Sequence, residues 1–283
     1  MANKISQAQR EMGITTPLGT DVLLFNAMAG SERLGRLSEY RLDLRSESGT
    51  VKPLDLLGKA VTVRVDVDRS RKRYFNGFVT EFGAADKDRG LYAYHAVMRP
   101  WLWFLTRRTN LRIFQDKSAL DVIMAVFDAP EYKGLADYDA SALRAGDYVK
   151  RVYCTQYRET DFDFVSRLME QEGIYYFFKH DDGRHKLVLA DSYSAHDLIP
   201  GYDKLPYRPG GAAADRNIDS IAAFGFERTV QPGTYELNDF DFEKPRANLK
   251  VDTAITRSHD QSKHLRSDYP GAYTTTAQGT AYA

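Results

Sequence analysis

The chain has 283 residues, 43% hydrophobic and 28% charged, the balance of a folded globular protein rather than a disordered or fibrous one. Lys plus Arg and Asp plus Glu number 39 each, so no net field draws it to nucleic acid or to an anionic membrane surface. A single cysteine, Cys154, excludes an internal disulfide and a cysteine metal cluster, and no apolar run approaches the roughly 18 residues of a membrane span.

The opening run MANKISQAQREMGITTPLG lacks the apolar core of a secretory signal, and residues 1–14 read as disordered. Residues 20–99 read as strands. Val61, Val63, Val65 and Val67 alternate with polar residues, which sets one apolar face. Tyr40, Leu42 and Leu44 repeat the pattern, as do Leu91, Ala93, His95 and Val97. Asp21–Met28 is more evenly apolar and should be covered on both sides. Gly77, inside Tyr74–Phe82, marks a bulge or corner. Five or six strands with little helix between them predict an antiparallel barrel or sandwich.

The period changes after Pro100. Ser118 and Asp121 form a cap-like pair before Leu120, Ile123, Met124, Val126 and Phe127 at helical spacing, and Pro130 ends the run. A polar loop rich in Ala, Asp and Gly follows. Thr160 then caps a second helix over 161–172, with Phe162, Val165, Leu168 and Met169 on one face and Gly173 as its left-handed stop. Phe164 and Leu168 should bury against a hairpin, 174–191, whose turn is Asp181-Asp182-Gly183-Arg184. Residues 198–217, rich in Pro, Gly and Ala, read as a connection. Strand-like runs resume at 220–229 and 233–242, and 273–283 shows no periodicity.

Candidate chemistry is thin. His180 and His185 flank a turn with two aspartates; a metal site there lacks further ligands, and a solvated turn is the preferred reading. His259 and His264 lie in a polar stretch and read as surface groups. His95 reads as a core or interface histidine with one hydrogen-bond partner. Asp161 and Asp163 resemble paired acid–base carboxylates, but they open a helix, where the macrodipole favours them, and Asp163 can pair with Arg167 one turn on. Cys154 has no nearby histidine in sequence. The basic run Arg69-Ser-Arg-Lys-Arg73 reads as a solvated hairpin loop rather than a nucleic-acid site. Arg99-Pro-Trp-Leu-Trp103 holds both tryptophans and reads as an apolar latch between domains. No catalytic, cofactor-binding or metal-ligating residue is assigned.

In this order and spacing, Arg99–Trp103 (RPWLW), Arg112–Gln115 (RIFQ) and Gln156–Phe178 (QYRETDFDFVSRLMEQEGIYYFF) resemble the amino-terminal region of the VgrG (valine-glycine repeat protein G) spike family of type VI secretion systems. That family is related to the central hubs of contractile phage tails. Phe75–Phe82 (FNGFVTEF) is similar to the family's opening barrel and 269–273 to a later element, so the resemblance spans most of residues 15–275.

The resemblance implies a mainly β fold with an α+β module and phage-tail-hub-like tube-domain β-barrels. It implies a first tube-type barrel over 15–105, an α+β module over 106–215 and part of a second tube-type barrel over 216–283. It further implies a non-enzymatic hub that docks on the Hcp tube, forms a homotrimer in the full-length protein and meets baseplate components. Effectors and a tip protein would engage carboxy-terminal parts that this chain lacks. Such a protein is cytoplasmic during assembly and then leaves the cell without a signal peptide, driven by sheath contraction. The family's small barrel, needle and valine-glycine repeats are absent from the sequence, so the chain is expected to be a fragment that trimerises weakly by itself. Two other readings remain open: a contractile phage-type tail hub associated with cell-wall lysis, and an effector-binding module.

Overall fold

The computed structural model describes residues 5–67, 71–88, 90–144, 148–196, 198, 202, 204–209 and 220–283. They belong to two compact units, Met1–Asp203 and Lys204–Ala283.

The first unit opens with a curled six-stranded antiparallel sheet. Its strands are β1 (Met12–Thr15), β2 (Leu24–Ser31), β3 (Glu39–Ser46), β4 (Ala60–Asp66), β5 (Lys72–Asp88) and β6 (Leu91–Arg99), in the order β1-β4-β5-β6-β3-β2. Tyr40, Leu42 and Leu44 face inward with Val61 and Val63, as their alternation predicts. On β6 the inward set is Tyr94, Ala96 and Met98, not the Leu91–Val97 parity read from sequence. Register decides this: Leu44 pairs with Tyr94, Leu42 with Ala96 and Tyr40 with Met98, and directly paired residues share a face. His95 is therefore exposed, its ring lying across Gly83 of β5, and it is no core histidine. Gly77 is not the bulge; the register shifts at Val79/Glu81 instead. A Cβ at Gly77 would stand 2.7 Å from Met98 Cγ and 2.8 Å from the Arg99 carbonyl oxygen, so the glycine permits close approach of β6. Only Leu23, Leu24 and Phe25 of the Asp21–Met28 run are buried.

The reading of 1–14 as disordered fails for residues 5–14. Gln7 is buried, and its carboxamide lies between the two edge strands. Oε1 accepts from the backbone N–H groups of Ile14 (3.0 Å) and Phe25 (3.1 Å), while Nε2 donates to the carbonyls of Ile14 (2.8 Å) and Leu23 (3.3 Å). A side chain thus stitches β1 to β2 where no ladder joins them.

A 3-10 turn, Trp101–Arg107, leads into the α+β layer. There β7 (Thr109–Ser118) pairs antiparallel with β9 (Lys150–Thr160), while β10 (Tyr175–Asp181) and β11 (Arg184–Ala190) form the expected hairpin. The hairpin turns at Gly183, φ +78°. The polar loop conceals β8 (Tyr138–Ala142), which joins β11 in parallel. Helix α1 (Ala119–Phe127) carries the Ser118–Asp121 capping box, and α2 (Asp161–Gln171) is capped by Thr160 and stopped at Gly173, φ +67°. Val122, Ile123, Val126, Phe164, Val165 and Leu168 are wholly buried with Trp101, Leu187 and Leu189 in one core. Phe164 and Leu168 are buried as the helical spacing predicts, and Phe164 stacks on Phe114 of β7 (ring centroids 5.9 Å).

In the second unit, β12 (Thr234–Leu237) lies between β13 (Val251–Ala254) and β14 (Leu265–Asp268), and α3 (Thr276–Tyr282) follows a Thr275 cap. Its small core is Leu249, Val251 and Tyr273. The expected strand over 220–229 reduces to a single bridge at Ile221, and the aperiodic tail is a short helix. Most of the 198–217 connection lies outside the described residues.

Candidate functional site

Three features of the first unit combine polar chemistry with a defined position. One is a pair of imidazoles where the β10–β11 hairpin crosses β5. His180 and His185 are cross-strand partners in the hairpin, their ring centroids 6.0 Å apart. They do not form a solvated turn: the His180 side chain is 8% exposed and His185 is 4% exposed. Asn76 of β5 holds both. Its backbone N–H donates to His180 Nδ1 (3.1 Å), and its Oδ1 stands 2.7 Å from His185 Nδ1. Its amide group donates to the Val61 carbonyl and to Thr62 Oγ1, so every polar atom of the side chain is used. The Trp101 backbone N–H donates to His185 Nε2 (2.9 Å), and Tyr40 Oη lies 3.3 Å from His180 Nε2 while donating to Glu32. Burial pushes the His180 imidazole below its ordinary range and His185 down to about 3, with the neighbouring His180 adding to the second effect. Both rings are neutral at pH 7. Of the Arg99–Trp103 run, Trp101 is wholly buried and also donates through Nε1 to the Asp137 carbonyl (3.1 Å), so it ties elements within one compact unit. Trp103 instead lies between the guanidinium groups of Arg99 (5.4 Å) and Arg107 (4.7 Å).

The second feature surrounds Asp161, which is wholly buried and not merely a helix-dipole charge. Its carboxylate accepts from Arg112 (2.6 Å), Gln156 (2.8 Å) and the Tyr132 hydroxyl (2.7 Å), with Arg108 at 3.6 Å. Those donors come from β7, β9, the 3-10 turn after α1 and the end of the Trp101–Arg107 turn. Two cations and a satisfied set of lone pairs make the buried charge a tie between elements. Asp163 does not pair with Arg167; it accepts from the Thr160 hydroxyl (2.7 Å), and Arg167 turns to Glu159 (2.8 Å). The two aspartates therefore have separate jobs and do not converge on a shared site.

The third is the outer face of the β7–β9 ribbon. Phe114, Cys154 and Gln156 point inward, whereas Leu111, Ile113, Tyr153 and Tyr157 are each 62–65% exposed. Leu111 pairs directly with Tyr157 across the ribbon, and neither strand has a further partner among the described residues. Sequence reasoning missed this face because β7 and β9 were not read as strands; the alternation Leu111, Ile113, Gln115 was its signal.

The other candidates disperse. Cys154 is 5% exposed, and burial pushes its thiol up, away from the reactive thiolate. His259 is half-buried beside Asp260, and His264 is exposed. Arg69 and Ser70 lie outside the described residues, and Arg73 stacks on Phe75 (4.7 Å). Among the described residues no cluster of three His, Cys, Asp or Glu could hold a metal, and no helix is long and apolar enough to cross a membrane. A cleft of about 390 Å³ is lined by Gln7, Thr16, Asp21 and Arg64, with no histidine or cysteine to act as base or nucleophile.

The family model of the phage tail baseplate hub (GPD) matches residues 31–283. The chain is 41% identical over 280 residues to the type VI secretion system spike protein VgrG1b of Pseudomonas aeruginosa, covering 99% of this chain and 37% of that protein. It thus spans less than half the length of this relative. Among solved structures, the 43 kDa tail protein of prophage MuSo2 from Shewanella oneidensis superposes with a TM-score of 0.61 at 14% identity, covering 96% of this chain and 76% of that one. The E. coli c3393 protein, described as a type VI secretion component similar in structure to the T4 phage tail proteins gp27 and gp5, gives a TM-score of 0.56 at 19% identity over 65% of this chain and 50% of its own. These likenesses show a tail-hub fold.

Proposed function

This chain belongs to the phage tail baseplate hub family, and on that premise we propose that it is the hub portion of a type VI secretion spike, a non-enzymatic part that docks on the Hcp tube. In the full-length protein it would trimerise, meet baseplate components, and carry effectors and a tip protein on its carboxy-terminal parts. It would assemble in the cytoplasm and be expelled by sheath contraction. On this reading the strands of Lys204–Ala283 begin a second tube-type barrel.

One observation supports an assembly role most directly: the open, apolar outer face of the β7–β9 ribbon. Monomeric proteins seldom leave four large apolar side chains together on a solvent face, and open strand edges invite pairing with another chain. Leu111, Ile113, Tyr153 and Tyr157 supply such a surface, while Arg112, Asp161 and Gln156 fix the ribbon from below. Size-exclusion chromatography of the chain mixed with its cognate tube protein tests the reading. Co-elution lost in an Ile113→Lys, Tyr157→Glu variant of unchanged circular dichroism is expected. Co-elution that survives both changes would place the docking face elsewhere. A phage-type tail hub is the second reading, favoured by the superposition on the prophage MuSo2 tail protein; binding to a phage tube protein in preference to Hcp would select it.

A further inference from the structure

The protonation geometry at Asn76 is specific enough to assign a tautomer to each ring. The Tyr40 hydroxyl donates to Glu32, so its oxygen accepts from His180, whose Nε2 must carry the hydrogen. His180 Nδ1 is then the free lone pair, and it already accepts from the Asn76 backbone N–H. His185 Nε2 accepts from the Trp101 backbone N–H, so its hydrogen is on Nδ1 and donates to Asn76 Oδ1. Any further proton must land on the one nitrogen of each ring that faces a backbone N–H. Backbone donors cannot reverse their polarity, so each protonation breaks a hydrogen bond and sets two donors against each other.

We propose that the Asn76–His180–His185 cluster is an acid-operated latch, whose protonation frees the hairpin from β5 and lets the helical layer move against the six-stranded sheet about the Trp101–Arg107 turn. The hairpin crosses the sheet at this seam, and the same Trp101 N–H that His185 accepts begins the connecting turn. The charged groups around the cluster do not cancel the effect. Glu32, from the β2–β3 connection, favours a charged His180, but it stands 3.7 Å from Nε2, the nitrogen that already bears its hydrogen. Arg73 of β5 opposes charge on His180, and Asp181 on the ring's own strand favours it weakly. His185 faces Asn76 and Phe78 of β5, Phe178 of β10 and the His180 ring, with no carboxylate among its hydrogen-bond partners. The directions in which burial moves both imidazoles agree with this geometry.

Backbone amide exchange on the whole chain, followed by NMR between pH 7.5 and 4.5 and corrected for intrinsic rates, tests the latch. Each histidine that is neutral when closed and free to charge when open makes opening about tenfold more frequent per pH unit below about 6.5. The Asn76 and Trp101 amides should therefore lose protection by at least that factor per unit, and at every pH they should be less protected than Val63 in the sheet and Ile123 in α1, which exchange only when the whole unit opens. A His180→Gln, His185→Gln double variant should show no such slope. Protection at Asn76 and Trp101 that stays flat, or that equals the protection of Val63 and Ile123 at every pH, overturns the proposal, as does an unchanged slope in the variant. Should the variant not fold, imidazole nitrogen shifts of the unaltered chain decide: neutral Nε2–H His180 and Nδ1–H His185 at pH 5.5 support the latch, and a charged ring in the closed state overturns it.

Discussion

Gln7 and Phe25 are 18 residues apart, yet the carboxamide oxygen of the first accepts the backbone N–H of the second at 3.1 Å. The same oxygen accepts from Ile14, so one side chain stands in for a peptide unit between two strands that form no ladder. Gln7→Ala leaves two N–H groups without their acceptor and should cost about 2–4 kcal/mol. Denaturant unfolding measures the loss, and amide exchange should show it concentrated at Ile14 and Phe25. A cost below about 0.5 kcal/mol would mean water replaces the carboxamide at no penalty.

Asp161 and Asp163 separate cleanly under mutation. Asp161→Ala strands the Arg112 guanidinium, 21% exposed, together with the Tyr132 hydroxyl, and should destabilise by about 3–5 kcal/mol. Asp163→Ala removes only the carboxylate that the Thr160 hydroxyl donates to and should cost about 1 kcal/mol or less. Urea midpoints at constant m-value compare the two. Equal losses would contradict the assignment of the buried tie to Asp161 alone.

Leu168 is fully buried in the core to which α1, the hairpin and the Trp101–Arg107 turn also contribute. Leu168→Ala should cost about 2–5 kcal/mol, the upper end if the neighbouring rings cannot collapse into the space. A loss under about 0.5 kcal/mol in denaturant unfolding would show that the helical stripe is not packed.

Gly77→Ala pushes a methyl group against Met98 and the Arg99 carbonyl, the latter fixed in β6. The expected cost is about 1–3 kcal/mol. Gly134→Ala supplies the contrast, because a Cβ there meets nothing within 4 Å and the only penalty is its φ of +82°. A thermal melt ranking Gly134→Ala as the more damaging would show that β6 can yield.

Local rules reached far in this chain and stopped at identifiable points. Helices α1 and α2 with their caps, the two-residue hairpin turn and the inward face of β3 follow from residue type and spacing, because each is set by neighbours within a few positions. The parity of β6 does not: Leu91, Ala93 and Val97 alternate as convincingly as Tyr94, Ala96 and Met98, and only pairing with β3 selects between them. Thr109–Ser118 alternates Leu111 and Ile113 with polar residues but sets them on an open outer face, and Tyr138–Ala142 looks polar because an edge strand needs little apolar cover. The histidine cluster was misread for a related reason. His180 and His185 sit beside a solvent-facing turn in sequence, and their burial comes from Asn76, more than a hundred residues away.

Trp101 anchors the passage between sheet and helical layer at two atoms. Its main-chain N–H is fastened to the hairpin and its indole to the strand approach at Asp137. A connector fastened in this way does not behave as a tether. Thrust applied to the sheet would reach the helices through a stiff joint, with little lost as bending in the seven-residue turn. With the Asn76–His180–His185 cluster closed, that joint would make the two layers move as a single body under load.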